Sequence, residues 1–196
     1  MPAEAPQSSY ALLPEGVIVS SLNKVAASHS ELLEKYYNRA AAEDRDFRTG
    51  HDGVTLLNTM LAQDGLLIYL PKNTVLKAPI QVVNVVSANI DLMCVRRVLI
   101  VAEEGAQGSV LFCDHAEGDK QYLTTQVIEA YAEEGAQVNI YSIEETNDNT
   151  TRFSTLYVEQ EAKSRISYDG IVLTCGKSRN RLDVRLRGEE ARTELY

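Results

Sequence analysis

Ala102-Glu103-Glu104-Gly105-Ala106-Gln107 returns unchanged thirty residues later as Ala132-Glu133-Glu134-Gly135-Ala136-Gln137. Each copy follows an apolar, β-rich run (residues 98–101 and 127–131) and precedes alternating sequence (residues 109–112 and 138–143). Self-similarity at such a period means that each unit buries its apolar face only against its neighbours, so the fold is a stack. Weaker copies continue the series. Aligning the alanine after the corner, Ala106 and Ala136 correspond to Ala162 and Ala191, with separations of 30, 26 and 29. Val75 is a looser match, 31 residues before Ala106.

Between corners the sequence alternates with period two, the signature of strands. Counting from each aligned alanine, Val110, Phe112, Ile140, Ser142, Ile166, Tyr168 and Leu195 are expected to point inward. Leu111, Cys113, Tyr141, Ser167 and Glu194 are expected to point outward. The run Leu182-Asp183-Val184-Arg185-Leu186-Arg187 alternates cleanly, three aliphatic residues in and three charges out. Each repeat reads as two strands of about seven to nine residues joined by a tight acidic corner. Longer polar loops at 114–120, 144–151 and 174–180 lead to the next coil. Stacked in parallel, such units make a β-helix or related solenoid. A propeller blade would need four strands in about forty residues.

A chain of 196 residues fits one large domain. Its formal net charge of −9 argues against tracking nucleic-acid phosphates or an anionic membrane. No apolar run is long enough for a membrane-spanning helix, and the N-terminus lacks the basic and apolar regions of a signal peptide. Three cysteines without zinc-type or CxxC spacing form no disulfide framework, which suits reduced thiols in a cytoplasm. Residues 1–65 differ from the rest. Ser28 with Glu31 fits a capping box ahead of a helical stripe of Leu32, Leu33, Tyr36, Tyr37 and Ala40 that fades at residues 43–46. A second short helix is expected over 54–62, with Leu56, Leu57, Met60 and Leu61 apolar and Asp64-Gly65 beyond its end. The expected organisation is therefore a lead-in at 1–65, with one or two short helices capping the stack, and a solenoid core at 66–196 whose first strand is 66–70.

Several stretches resemble the SufB/SufD family. Leu57-Asn58-Thr59, Gln63-Asp64-Gly65, Tyr69-Leu70-Pro71-Lys72-Asn73 and Pro79-Ile80-Gln81-Val82 look like the opening of that family's core. The two identical corners resemble its middle, as does Arg179-Asn180-Arg181-Leu182-Asp183-Val184-Arg185-Leu186 with Gly188-Glu189. Residues 88–93 and 97–101 are closer to the SufD branch than to the SufB branch. The resemblance covers residues 14–196 and implies a right-handed parallel β-helix with a scaffold role in iron–sulfur cluster assembly. It implies SufB-like and SufC-like partners for the full-length protein, with the cluster handled by the whole complex. Family members are about twice as long, so the chain looks like a fragment. The cysteine and histidine implicated at the SufB–SufD interface fall in coils beyond Tyr196, and none of their roles transfers here. A stack ending at Glu194-Leu195-Tyr196 is expected to self-associate through its open end.

No catalytic residue and no resident cofactor is expected. Cys113 and His115 share one strand face and are the residues best suited to a metal, but two ligands are too few. Cys94 reads as a buried thiol. Cys175 is the thiol expected to be exposed, with Lys177, Arg179 and Arg181 near enough to lower its pKa. The acidic pairs Glu103-Glu104, Glu133-Glu134 and Glu189-Glu190 stack at equivalent corners, either as solvated charges or as a ladder for hard cations. His29 and His51 carry no companion motif. The reading from another class is a carbohydrate-acting β-helix enzyme, which needs acidic residues clustered with a basic catalyst on one outward face. A hexapeptide-type acyltransferase conflicts with coils near thirty residues.

Overall fold

The computed structural model describes residues 13–43 and 52–196. In chain order the elements are β1 (Ile18–Ser21), α1 (Leu22–Ser28), α2 (Ser30–Tyr36), α3 (Arg39–Ala42), α4 (Gly53–Leu61), β2 (Leu66–Leu70), β3 (Ile80–Ser87), β4 (Leu92–Ala102), β5 (Gln107–Glu117), β6 (Tyr122–Ala132), β7 (Gln137–Glu145), β8 (Thr150–Gln160), β9 (Arg165–Thr174), β10 (Lys177–Leu186) and β11 (Arg192–Leu195). The strands alternate between two sheets. One runs β1-β2-β4-β6-β8-β10 and the other β11-β9-β7-β5-β3. All pairings are parallel except β1 with β2. The fold is a mainly β, parallel solenoid of about four turns.

The repeated hexapeptide forms the tight corner of each coil. Asn73, Gly105, Gly135, Lys163 and Glu190 occupy its left-handed position, with φ between 57° and 69°. The amide of each of the first four donates 2.9 Å to a carbonyl of the next coil's corner: Glu104, Glu134, Ala162 and Glu189 in turn. Glycine is the natural occupant of such a backbone, which explains Gly105 and Gly135. The register differs from the sequence alignment at two corners. The residue equivalent to Ala136 is Ser164, not Ala162, and that equivalent to Ala106 is Thr74, not Val75. Val110 therefore stacks on Ile140 and then Tyr168, while Ile166 stacks on Val138. A slip of two residues preserves the strand face, so Ile166 still points inward and is buried.

The main core fills the space between the sheets, with Ile68, Leu70, Ile100, Val110, Phe112, Ile128, Ile140, Val158 and Ile166 at its centre. A second cluster lies on the outer face of the first sheet, where Leu67, Leu99, Val101, Val127, Tyr131 and Tyr157 meet Leu22, Val25, Tyr36, Ala40 and Ala41 of the helices. That explains the unbroken apolar run at 98–102 of β4 and the burial of β6 from Thr124 to Ala132: both strands are covered on both faces. The expected lid is thus displaced. The helices lie along the flank of the stack, and β1, four residues that carry no sequence signal, adds an antiparallel strand on β2.

Local details differ too. Ser28 is the last residue of α1, its hydroxyl donating to the Lys24 carbonyl, and α2 starts at Ser30, its N-cap His29 making no side-chain capping bond. The stripe expected as one helix divides between α2 and α3 at Asn38, which has φ 60°. In α4 the buried residues are Thr55 and Asn58, whereas Leu56 and Met60 are 52% and 73% exposed.

Candidate functional site

Strand parity places a polar cluster inside the solenoid, beyond the aliphatic half of the core. Arg96 of β4, Asp114 of β5, Glu144 of β7 and Arg152 of β8 converge there, on stretches partly read from sequence as loop. Arg96 Nη1 donates to Asp114 Oδ1 at 2.5 Å. Arg152 grips Asp114 Oδ2 through Nη2 at 2.7 Å and Nε at 3.1 Å, and reaches Glu144 Oε2 at 3.3 Å. Asn84 Nδ2 donates 2.8 Å to Asp114, Ser178 Oγ donates 2.9 Å to Glu144, and Asn180 Oδ1 accepts from Arg152 Nη1 at 2.7 Å. Arg152, Asp114 and Glu144 are buried.

Two guanidiniums against two carboxylates leave the cluster neutral, the condition under which buried charge is tolerated. Burial pushes the Asp114 carboxyl up, but Arg96 and Arg152 outweigh it and hold the group below the usual carboxylate range. Some hydrogen-bonding capacity is left over: Arg96 Nε, Gln126 Oε1, Glu144 Oε1 and Thr124 Oγ1 are buried without partners. Beside this cluster lies a cavity of about 140 Å³ whose polar lining includes Gln126, Ser142, Ser154 and Asn180. The arrangement fixes charge and orients polar groups between coils. Both carboxylates are held by guanidiniums, Asp114 through both oxygens and Glu144 through Oε2 alone.

A second ionic centre pins the helices. Arg97 and Glu129, both fully buried, pair at 2.8 Å. Glu129 also accepts from the amides of Asn38 (2.8 Å) and Ala41 (3.1 Å) and from the Tyr131 hydroxyl (3.2 Å). Arg97 reaches Asn38 Oδ1 at 2.8 Å and Thr59 Oγ1 at 3.0 Å. Nearby, Glu159 gathers Arg39, Arg185 and Arg187 at 2.9–3.2 Å. The outward charges of β10 are engaged the same way: Asp183 with Arg181 and Arg185, and Arg179 with Asp52.

Cys113 and His115 do share the outer face of the second sheet. Cys113 is buried there, Sγ accepting from Gln81 Nε2 at 3.6 Å, while His115 Nδ1 lies 3.5 Å from Glu145. Among the described residues no three His, Cys, Asp or Glu side chains gather as a metal site. Cys94 is half-buried rather than buried. Burial and Glu144 push the Cys175 thiol up, against the expected lowering. Several corner carboxylates are engaged by cations and not by one another: Glu104 pairs with Lys72, Glu133 with Lys35 and Tyr36, and Glu134 with Lys163. His51 lies outside the described residues. Parity alone could have flagged the interior cluster, because Arg96, Asp114, Glu144 and Arg152 fall at inward positions with opposite signs on facing strands.

A two-sheet parallel solenoid with flank helices and a closed polar interior is one class of architecture, and comparison with known proteins names its family. Residues 3–82 match the SufBD protein N-terminal region, and residues 84–196 match the SufBD core domain of the SUF system for FeS cluster assembly. The chain belongs to the SufBD family of iron–sulfur cluster assembly proteins. It is 28% identical over 164 residues to the SufBD family protein ABCI9 of Arabidopsis thaliana, an alignment covering 81% of this chain and 33% of that one. It is 28% identical over 160 residues to SufD of Bacillus subtilis, covering 80% and 34%. Against slr0076 of Synechocystis it is 25% identical over 192 residues, covering 93% and 41%. The alignments thus span about a third to two fifths of those relatives. No helix among the described residues is long and apolar enough to cross a membrane.

Proposed function

We propose that the chain is a non-catalytic scaffold component of a SUF-type assembly complex, acting through protein–protein contacts with SufB-like and SufC-like subunits. The observation that carries this reading is the closed interior: Asp114, Glu144, Arg96 and Arg152 neutralise one another. A neutral, hydrogen-bonded cluster of that kind stiffens a stack. The edges of β10 and β11 carry no further strand among the described residues.

The test is affinity capture of the tagged chain after co-expression with a SufB-like subunit and a SufC-like ATPase. Stoichiometric co-elution of the SufB-like subunit is expected. Failure to retain either subunit, or release of unsaturated products from polygalacturonate by the purified chain, overturns the reading.

A further inference from the structure

β2 is shorter than the strand beneath it. It pairs with Val98–Ala102 of β4 only, whereas β6 pairs with β4 along its whole length. Residues 92–97 of β4 therefore have no strand on the β2 side among the described residues. The reason is local. At Gly65 the chain crosses so close to β4 that a Cβ there would lie 2.5 Å from the Arg97 carbonyl oxygen, and it leaves toward α4 instead of continuing the strand. What remains is a slot of about 670 Å³, lined on one side by Leu66 and Gly65, on the other by Val82 and Asn84, with Met93 and Val95 along β4. Six strand residues span about 20 Å.

The slot has the chemistry of a missing strand. The Glu103 amide donates to Leu70 on the β2 side, so strand alternation turns the backbone N–H and C=O of Met93 and Val95 toward the slot. Beneath them two buried groups lie unpartnered: Arg96 Nε, a donor, and Gln126 Oε1, an acceptor, both on side chains that line the slot. Gln126 is 2% exposed. A carboxamide answers both at once, giving its oxygen to Arg96 and its N–H to Gln126. A carboxylate answers only Arg96, whose charge Asp114 already neutralises. Val82, Val98 and Leu66 supply aliphatic wall on either side.

We propose that this slot receives one extended segment of a partner polypeptide, added as a strand beside β4, with an Asn or Gln side chain turned inward over Arg96 and Gln126 and aliphatic side chains two residues to either side. Strand addition takes its affinity from main-chain bonds and its selectivity from pockets for alternate side chains. The slot-facing backbone of Met93 and Val95, with Gly65 and Leu66 beside it, matches a single extended segment. This site is independent of the scaffold reading and of the β10 and β11 edges.

The test uses the intact chain and a fluorescein-labelled peptide, acetyl-Thr-Val-Thr-Asn-Thr-Val-Thr-amide, followed by anisotropy. Saturable binding is expected, weakened about tenfold when the central Asn is replaced by Leu, because two buried polar groups then stay unpaired. Val95→Pro removes a donor that faces the slot without touching the β4–β6 ladder. It should weaken binding at least about tenfold with an unchanged thermal midpoint. Met93→Pro provides the same comparison should Val95→Pro fail to fold. Gln126→Leu should erase the preference for Asn over Leu. The proposal is overturned by absence of saturable binding, by equal binding of the Asn and Leu peptides, or by a folded proline variant that binds as well as the parent. It is equally overturned by binding that appears only after residues 1–12 are deleted, or by self-association that the peptide competes away; these outcomes give the slot to the chain's own N-terminus or to a second copy.

Discussion

Glu129→Ala should detach the flank helices from the solenoid. The carboxylate is fully buried and accepts from Arg97, from the Asn38 and Ala41 amides and from Tyr131. Removing one member of a buried pair strands the other charge, which costs about 3–5 kcal/mol. Two orphaned amides add about 1 kcal/mol each, partly relieved by water entering the space left by the side chain. The expected loss is therefore about 5 kcal/mol, a large share of the ~5–15 kcal/mol typical of a folded domain. At this chain length it should lower the thermal midpoint by about 10–20 °C. Thermal unfolding followed by circular dichroism reads the midpoint, and hydrogen exchange reads the helices, where amides 38–42 should lose protection before β6 does. Replacing both partners by apolar residues, Arg97→Met with Glu129→Leu, should recover most of the stability, since no charge is then stranded. A midpoint fall of less than about 3 °C, with unchanged exchange at residues 38–42, would refute the clamp.

Gly105→Ala and Gly135→Ala impose the same left-handed backbone on an alanine, at about 1 kcal/mol each. Gly105→Ala should cost more, because its Cβ would meet Asn73 Oδ1 at 2.6 Å while nothing lies within 4 Å at Gly135; urea unfolding of the two variants gives the order. For Asp114 the folded pKa is depressed, so its contribution is complete above the unfolded value near 3.8 and is lost as pH falls through the folded one. Asp114→Asn should therefore be less stable than the parent at neutral pH, with the gap narrowing as pH falls below the unfolded value near 3.8 in a series of thermal melts.

The corner repeat made the stacking legible, because Gly105 and Gly135 mark a backbone that few other residues adopt. Lys163 and Glu190 adopt the same backbone at equivalent corners without announcing it, and the alignment slipped by two residues where Lys163 stands for glycine. The inward faces survived that slip through parity alone. Period-two reading failed at Asp114 and Glu144 for a different reason. It treats a charge as outward or as loop, whereas here charges of opposite sign on facing strands meet inside. In α4 the apolar residues Leu56 and Met60 do not mark the buried face, since Thr55 and Asn58 face the sheet to satisfy the Tyr157 hydroxyl and the Arg96 and Thr125 carbonyls. Such pairings depend on a partner distant in sequence, and periodicity within one element cannot carry that information.

The line of left-handed corners gives the molecule a grain. Bonds from Asn73 to Glu104, Gly105 to Glu134, Gly135 to Ala162 and Lys163 to Glu189 all run along the stacking axis, as do the ladders of both sheets. Tension that separates neighbouring coils evenly must stretch a whole rung of such bonds together. Tension on a single strand end instead peels them one after another. Resistance to force therefore depends on where the molecule is held, and a subunit gripping a whole coil face would be harder to pull away than one hooked to a loose end.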